Sequence, residues 1–238
     1  MQLILLAAGM GNRLPKYLRK DPKCMVKINN KCVIEYLEEF TKKFKNKTII
    51  TGYKSYKLKE IIKKLNLNEI RNNHYKKTNM VYSMFRAKNI LKKEIVICYT
   101  DIIFDPKIYL QLSKKKNQNI MPINKNWLNV WKGRMSKKMI LKDAENLTVN
   151  NNYITSIGEK ISKKLPKYQF MGIIKIKYKD YFKLKKYFLK LKNNRIDFTS
   201  FINKAIKNKI VKVKSSITTR YWYEIDNIKD KKFVEKSL

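Results

Sequence analysis

The chain has 238 residues, of which 44% are hydrophobic, so an α/β domain of ordinary size can form around its own core. Its formal net charge is +38, but 49 of its 56 cations are lysines spread along the chain, whereas base-reading surfaces favour arginine among aromatic residues. The composition therefore predicts salt-dependent attraction to polyanions and no specific nucleic-acid site. A basic nucleic-acid-binding protein stays open as the alternative from another class.

Cysteine usage and hydropathy indicate a reducing compartment. The three cysteines contain no C-x-x-C pair, which argues against a disulfide framework and against a zinc site. The apolar run at residues 3–6 is too short for a signal peptide, and no stretch is long enough to cross a membrane. No Ser/Gly-rich linker divides the chain. We therefore expect a cytoplasmic protein without membrane insertion, folded as a single domain over residues 1–238, and we leave a homodimer open.

The first predicted element is a buried strand at residues 3–6 that runs into a loop containing glycine. Gly9 and Gly11 allow the backbone to approach an anion, and Arg13 and Lys23 supply cations for phosphate oxygens. The loop lacks the third glycine of a G-x-G-x-x-G motif, and no Gly-Lys-Ser/Thr follows to make a P-loop. A tight turn with two surface cations is the alternative that needs no ligand.

The loop nevertheless matches a longer pattern, L-A-A-G-x-G-x-R followed by P-K, at residues 6–13 and 22–23. This pattern resembles the signature of the nucleotidyltransferases that activate sugar phosphates, phosphocholine and related compounds. The resemblance implies that the loop backbone holds the nucleotide and that the arginine and the lysine contact its triphosphate. It assigns Arg13 and Lys23 as catalytic cations and, as nucleotide-binding residues, Leu6, Ala7, Ala8, Gly9 and Gly11.

Helices and strands alternate after the loop. Apolar periodicity predicts helices over residues 31–44 and 56–65, a strand at 48–52 between them, and a buried strand at 95–101. Such alternation predicts an α/β fold with a Rossmann-like mixed, mostly parallel sheet flanked by helices. The resembled family implies the same architecture, of the nucleotide-diphospho-sugar transferase type.

A polar segment at residues 72–79 precedes a helix predicted over 79–91, with Thr78 as its N-cap. In the resembled family a similar loop and helix lie against the nucleotide base. The resemblance therefore implies that Asn79 and Ser83 also bind the nucleotide. Ordinary helix capping is the alternative for these side chains.

Two carboxylates follow strands and are candidates for holding a metal. Asp101 ends the buried strand at 95–101, where a hard cation could bind through oxygen. Glu224 and Asp226 alternate along a strand, so they point to the same side. The pattern W-x-E-I-D at residues 222–226 resembles the closing motif of the family, and this resemblance implies that Asp101 and Asp226 bind Mg²⁺.

The region from about 124 to 176 lacks clean periodicity and is predicted to form a small β-rich insertion on the acceptor side. Trp131 offers an aromatic face for a cationic group and Arg134 a guanidinium for a phosphate, whereas a hydrophobic patch under a loop is the alternative. The W-x-x-R segment followed by D-A-E is typical of the phosphocholine cytidylyltransferase branch of the family. The acceptor-binding residues that the resemblance implies are Trp131, Arg134, Asp143, Glu145, Gly172 and Glu224.

Together the motifs predict a Mg²⁺-dependent nucleotidyltransferase. The phosphate of a small phosphorylated acceptor resembling phosphocholine attacks the α-phosphate of CTP, or of another NTP, and pyrophosphate leaves. No general base is needed, because a phosphate monoester with a second pKa near about 6 is largely dianionic at neutral pH. A sugar-1-phosphate nucleotidyltransferase that uses UTP or dTTP is the alternative within the enzyme class.

Overall fold

The computed structural model describes residues 1–161 and 164–238, and strands alternate with short helices along most of this length. The predicted acceptor-side region 124–176 includes residues 162–163, which lie outside the described residues. The strands are β1 (Gln2–Ala7), β2 (Lys27–Ile28), β3 (Lys31–Cys32), β4 (Asn46–Thr51), β5 (Asn68–Arg71), β6 (Ile95–Tyr99), β7 (Ile102–Phe104), β8 (Ile120–Asn124), β9 (Glu145–Asn150), β10 (Tyr153–Lys160), β11 (Gln169–Phe170), β12 (Ile173–Ile176), β13 (Lys214–Thr218) and β14 (Trp222–Glu224).

The longest helices lie in the last third of the chain, and no helix in the described residues is long and apolar enough to span a bilayer. The α-helices are α1 (Glu38–Lys42), α2 (Lys59–Lys64), α3 (Met80–Met84), α4 (Ile108–Ser113), α5 (Trp127–Lys132), α6 (Lys137–Asp143), α7 (Tyr178–Leu191), α8 (Phe198–Lys207) and α9 (Ile228–Ser237). Short 3-10 helices span Leu18–Lys20, Lys23–Met25, Val33–Leu37 and Ser55–Leu58.

Ten strands of the described residues form one sheet in the order β5-β4-β1-β6-β12-β8-β13-β10-β9, with β11 paired to β8. β1 runs parallel to β4 and β6, β4 to β5, and β8 to β13. β12 is antiparallel to β6 and β8, β10 is antiparallel to β9 and β13, and β11 is antiparallel to β8. Seven of these strands therefore share one direction, which confirms the predicted mixed, mostly parallel sheet.

The side chains of β1 explain why this strand lies inside the sheet. Every residue of β1 is buried, as expected for a parallel strand that is covered on both faces. Leu3 and Leu5 belong to the hydrophobic cluster on one face of the sheet, whereas Ile4 and Leu6 belong to the cluster on the other. Alternate residues of a strand point to opposite faces, so β1 contributes to both halves of the core.

A third, smaller hydrophobic cluster lies beneath the loops at the end of the sheet. It joins Leu14 and Val26 from the segment after β1, Ile103 from β7, Ile225 from the closing motif and Val234 from α9. Leu14, Val26, Ile103 and Ile225 each lie within three residues of a predicted site residue. Their burial therefore brings the glycine-containing loop, the end of β6 and the closing motif to one place.

Two helix predictions were wrong in their extent. The helix predicted over 79–91 ends at Met84, and Asn89 has the left-handed φ of +52°, which a helix cannot contain. The N-cap is Asn79 rather than Thr78, because the Thr78 hydroxyl donates to the carbonyl of His74.

The helix predicted over 31–44 is instead divided into three pieces: β3, the 3-10 helix Val33–Leu37, and α1. Asn29 and Asn30 adopt positive φ, which reverses the chain and pairs β2 with β3. The first residues of the predicted helix are therefore held in this ladder, and the helical part starts only after it.

The acceptor-side region contains two helices as well as strands. α5 and α6 precede the hairpin of β9 and β10, and the Ser136 hydroxyl caps α6 by accepting from the N–H of Met139. The hairpin turns at Asn151 and Asn152, which have the left-handed φ values of +46° and +64° that asparagine tolerates. Short helices of this size carry too few apolar positions for their period to be recognised in sequence.

Candidate active site

The loop after β1 is held at the carboxyl end of the sheet with its backbone open. The Thr100 hydroxyl donates to the carbonyl of Leu6 at 2.8 Å, which ties the ends of β1 and β6 together. A side chain at Gly9 would meet nothing within 4 Å, so a ligand can approach the backbone there. Gly11 has a φ of +65°, and a Cβ at this position would lie 3.3 Å from the Cβ of Lys23. Glycine at position 11 thus allows the loop to pack against the segment that carries the lysine.

A first cavity opens beside this loop and is lined by most of the residues predicted to bind the nucleotide. Gly11 is the predicted nucleotide-binding residue that does not line it. The predicted residues that line it are Leu6, Ala7, Ala8, Gly9, Lys23, Asn79, Ser83 and Asp101. The structure adds lining residues that the sequence did not single out, namely Cys24, Asn72, Tyr75, Thr78, Met80, Tyr99 and Thr100.

Asn72 organises the polar wall of this first cavity. Its side-chain amide donates to the hydroxyls of Thr78 and Ser83, each at 3.0 Å, and all of Asn72 is buried. Asn79 accepts from the N–H of Met80 at 2.8 Å and so performs the capping role that was the alternative for it. The turn-rich composition of residues 72–79 was a signal for this wall, but it could not distinguish Asn72 from its neighbours.

The two cations and the two metal-binding candidates predicted from distant parts of the chain lie in contact. The Lys23 ammonium donates to Asp101 Oδ2 at 2.5 Å and also to Asp226 Oδ1. Arg13 Nη2 lies 2.9 Å from the same Asp226 oxygen. The N–H of Ile225 donates to the carbonyl of Asp101 at 2.9 Å, so a backbone hydrogen bond fixes the two carboxylates next to each other. The structure therefore brings these four predicted residues together.

The electrostatics of this cluster favour the charged forms of Lys23 and Asp226. Burial opposes the charge of Lys23, but the Asp101 and Asp226 carboxylates outweigh it and raise the pKa of the ammonium above its ordinary value. Burial would likewise raise the pKa of Asp226, yet Lys23 and Arg13 hold the pKa of this carboxyl below its usual range. An ammonium between two carboxylates is thus the stable state of the cluster.

The carboxylates also suit a hard divalent cation. Asp101 Oδ1 is buried and accepts no hydrogen bond from any described residue, so one oxygen of the pair has unused capacity. Asp101 and Asp226 could supply two oxygen ligands to Mg²⁺, an ion that commonly keeps water and phosphate oxygens as its other ligands. Within residues 1–161 and 164–238 there is no group of three His, Cys, Asp or Glu side chains arranged to hold a metal.

A second cavity adjoins the cluster, and all six residues predicted to bind the acceptor line it. These residues are Trp131, Arg134, Asp143, Glu145, Gly172 and Glu224. Arg13 and Asp226 also line this cavity, and Met80 and Tyr99 line both cavities, so the two cavities meet at the lysine–carboxylate cluster. Residues that the sequence did not single out include Gln169, Phe170, Asp197, Phe198, Thr199 and Trp222.

Arg134 and Trp131 are both buried rather than exposed at the surface of the cavity. The Arg134 side chain is 1% exposed, and its Nη1 lies 2.5 Å from Asp230 Oδ1, which is fully buried. The guanidinium carbon is 4.9 Å from the centre of the Trp131 ring, and the rings of Trp127 and Trp131 meet edge to face. The hydrophobic patch that was the alternative for these tryptophans is thus present, and it forms one wall of the cavity.

Glu224 occupies the boundary between this wall and the carboxylates. Burial, together with the charges of Asp226 and Asp101, raises the pKa of Glu224 to about 8. The Arg134 Nη2 atom is 3.8 Å from Glu224 Oε2, which is within ion-pair distance but too far for a hydrogen bond. A cation that enters the cavity would stabilise the ionised form of Glu224 and lower its pKa.

Solved structures with the same fold are nucleotidyltransferases. The chain aligns over 99% of its length with the inositol-1-phosphate CTP transferase from T. maritima, covering 94% of that chain with a TM-score of 0.78 and 20% identity. It aligns over 99% of its length with the CTP:phosphocholine cytidylyltransferase from Streptococcus pneumoniae, covering 98% of that chain with a TM-score of 0.77 and 19% identity. The fold is thus that of the nucleotidyltransferases, as predicted.

Similarity in sequence narrows the class further. The chain is 32% identical over 188 residues to the CTP:phosphoglutamine cytidylyltransferase of Campylobacter jejuni, an alignment that covers 75% of this chain and 74% of the relative. It is 33% identical over 106 residues to the choline-phosphate cytidylyltransferase of Streptococcus pneumoniae, covering 44% and 46% respectively. No protein-family model matches the chain. The chain belongs to the nucleotidyltransferase family, in the branch of the cytidylyltransferases.

Proposed function

We propose that the chain transfers CMP from CTP to the phosphate of a small phosphorylated acceptor and releases pyrophosphate. The observation that supports this proposal is the position of Lys23, whose ammonium bridges Asp101 and Asp226 where the two cavities meet. In this arrangement, positive charge and carboxylate oxygens would lie where a nucleotide in one cavity meets an acceptor in the other, which supports the proposal. The cytoplasm, which contains CTP, is the proposed location.

In this proposal the chain contributes charge and position rather than covalent chemistry. Arg13 and Lys23 bind the triphosphate and stabilise the charge that develops on the departing pyrophosphate. The backbone around Gly9 holds the nucleotide, with Asn79 and Ser83 on the side of its base. Because both cations already lie against carboxylates, the arriving triphosphate would share them with Asp101 and Asp226 rather than meet free charges.

Asp101 and Asp226 would hold Mg²⁺, which when bound supplies positive charge to the α-phosphate and to the phosphate of the acceptor. The unused oxygen of Asp101 supports this assignment. The side chains of the second cavity would orient the acceptor so that its phosphate faces the cluster, and the proposed class is small, phosphorylated, nitrogen-containing compounds, of which phosphocholine is one example. The phosphorylated acceptors in the relatives' names, choline and glutamine, are both small and nitrogen-containing.

The first experiment measures pyrophosphate release from CTP with phosphorylated acceptors, using the wild-type chain, Lys23→Ala and Asp226→Asn. Each substitution should lower turnover on the order of 10²-fold or more, because each removes charge that stabilises the transition state. Lys57→Ala is the matched control, since this lysine pairs with Asp21 at the surface and lines neither cavity. Circular dichroism would establish that all variants remain folded.

Turnover of Lys23→Ala or Asp226→Asn close to that of the control would contradict the proposal. A parallel comparison of CTP with UTP, dTTP and ATP tests the choice of nucleotide. We expect CTP to be preferred, whereas preference for UTP or dTTP with hexose 1-phosphates would favour a sugar-phosphate nucleotidyltransferase.

A further inference from the structure

The second cavity is acidic, although the chain as a whole is strongly basic. No lysine is among its described lining residues, despite the 49 lysines of the chain, and its cations are Arg13 and Arg134. The acidic side chains that line it are Asp143, Glu145, Asp197, Glu224 and Asp226; burial raises the pKa of Glu145, and burial with the neighbouring carboxylates raises that of Glu224 to about 8. A cavity that gathers acids in this chain therefore differs from the rest of the surface in the sign of its charge.

Three of these carboxylates lack a cationic partner. Within the parts of the chain that the structure describes, no lysine or arginine nitrogen comes within 4 Å of Asp143, Glu145 or Asp197. Glu145 Oε1 and Asp197 Oδ1 both lie next to the hydroxyl of Thr199, at 3.0 Å and 3.1 Å. Asp197 Oδ1 also accepts from the N–H of Ser200 at 2.8 Å as the N-cap of α8, so the single proton of the Thr199 hydroxyl is free to stay with Glu145. Glu145 Oε2 and Asp197 Oδ2 accept from no donor among the described residues, so this pair of carboxylates suits additional N–H donors.

Buried donors without acceptors line the same cavity and are an independent sign of a ligand. Trp222 is 2% exposed and Arg134 is 6% exposed, yet Trp222 Nε1 and Arg134 Nε and Nη2 donate to no described atom. Buried polar groups in folded proteins are almost always hydrogen-bonded. These donors therefore indicate that a ligand brings oxygen atoms to the part of the cavity beside Trp222 and Arg134. The carboxylates, in contrast, require a ligand group with N–H donors or positive charge.

The aromatic wall does not offer a vacant cage for a quaternary ammonium. The guanidinium of Arg134 lies over the ring of Trp131, and Trp127 packs edge to face against that ring. A quaternary ammonium has no N–H group, so it could not satisfy the oxygens of Glu145 and Asp197 by hydrogen bonding. A primary ammonium has three donors and matches them better.

We infer that the acceptor carries, besides its phosphate, a protonated primary amine whose N–H groups donate to Glu145 and Asp197. Asp143 adds negative charge at the rim, and Trp222 and Arg134 donate to oxygens of the acceptor. This inference rests on the proposed function and specifies its substrate class, a phosphorylated primary amine. The subsite lies in the second cavity, away from the triphosphate.

The test compares three probes by isothermal titration calorimetry, with the full chain loaded with Mg²⁺ and α,β-methylene-CTP. The probes are 2-aminoethyl phosphate, its isostere n-propyl phosphate, in which a methyl group replaces the ammonium, and phosphocholine, which keeps the positive charge but lacks N–H groups. Charge-assisted hydrogen bonds predict that 2-aminoethyl phosphate binds roughly 10- to 100-fold more tightly than n-propyl phosphate. It should also bind more tightly than phosphocholine.

Two conservative variants link the preference to the subsite. Glu145→Gln and Asp197→Asn remove charge but keep an oxygen for Thr199, and asparagine remains a good N-cap for α8. Each should reduce the preference for the amine at least about fivefold and leave the affinity for n-propyl phosphate unchanged. Glu60→Gln is the control, because this exposed carboxylate lies outside both cavities.

Equal affinities for the amine and its isostere, no binding of any probe, tighter binding of phosphocholine, or an unchanged preference in both variants would each overturn the inference. Pyrophosphate release reports separately on the proposed function. Turnover with CTP but without an amine preference would support the proposed function and contradict the amine subsite. Amine-selective binding without CTP turnover would support the amine subsite and contradict the proposed function.

Discussion

Lys23 lies 78 residues before Asp101 and 203 residues before Asp226, yet its ammonium contacts both carboxylates. Its side chain is 15% exposed, so these contacts are partly shielded from water and from salt. Arginine would not replace it well, because a planar guanidinium is larger than an ammonium and its donors point along fixed directions. The distance between the two carboxylates is thus matched to one small cation, whether an ammonium or a metal ion.

Gly172, which was predicted from sequence to line the acceptor site, provides a prediction at this scale. It has a φ of +78°, and a Cβ here would lie 2.9 Å from Cδ2 of Tyr99, which lines both cavities. Gly172→Ala should lower the free energy of unfolding by about 1–3 kcal/mol, because it combines backbone strain with a steric clash. Urea denaturation followed by tryptophan fluorescence measures this loss.

Gly9→Ala is the matched control for stability, since a Cβ at Gly9 meets nothing within 4 Å and its φ is not positive. We expect its unfolding free energy to stay within about 0.5 kcal/mol of the wild-type value. An equally small loss for Gly172→Ala would show that Tyr99 can move aside and that the tight approach is unimportant.

At the scale of elements, α9 links the closing motif to the acceptor wall through Asp230. Asp230 Oδ2 accepts from the N–H groups of Asp226 at 2.9 Å and Asn227 at 3.1 Å, while its other oxygen contacts Arg134. The start of one helix therefore fixes the backbone of a metal-ligand candidate and neutralises a buried guanidinium. Neither role could be read from the motif itself, which ends at Asp226.

Removing Asp230 should destabilise the fold strongly. Asp230→Ala removes one half of the capping box of α9, whose N-cap is Asn227, and leaves the charge of Arg134 buried without its partner, for an expected loss of about 3–5 kcal/mol in the free energy of unfolding. Asp230→Asn keeps an oxygen for the cap and should lose less. Urea denaturation compares both with Glu235→Ala, a change in a surface ion pair of the same helix that should cost about 1 kcal/mol or less. If Asp230→Ala behaves like Glu235→Ala, the buried pair contributes little.

Element boundaries were the part of the fold that sequence predicted least well. The helix expected from residue 31 is divided, because Asn29 and Asn30 adopt left-handed φ and reverse the chain. α3 ends at Met84, and the left-handed φ of Asn89 prevents a helix from extending to residue 91. Asparagine tolerates this conformation through its short polar side chain, but it does so only at some positions. The order of strands and helices was easier to predict, since the buried strands are continuous apolar runs.

For the whole molecule, the +38 charge is distributed over the surface, while the second cavity is lined by acids. Family membership accounts for the activity without a nucleic-acid partner, so the excess of lysine is not needed to explain what the enzyme does. Like charges on a compact chain repel one another, and this repulsion opposes folding. Salt should therefore affect the stability of this protein in a measurable direction.

We expect the thermal unfolding midpoint to rise as NaCl is increased from about 0.01 M to about 0.15 M, because the Debye length falls from about 30 Å to about 8 Å and repulsion is screened. Differential scanning calorimetry measures the shift. Repeating the series with an uncharged osmolyte at equal osmolality controls for general solvent effects. A midpoint that falls with salt would mean that attractive ion pairs, rather than net repulsion, dominate the electrostatic part of stability.

By itself the sequence determined the class of fold, the family and the residues that carry the two motifs, because apolar runs, glycine positions and charged residues at fixed spacing are local properties of the chain. Only the tertiary structure decided that Lys23 bridges two carboxylates, that Arg134 is buried against Asp230, and that Asp197 and Thr199 join Glu145 in one cavity. These contacts depend on which loops the core brings together, and no spacing within a single segment encodes them.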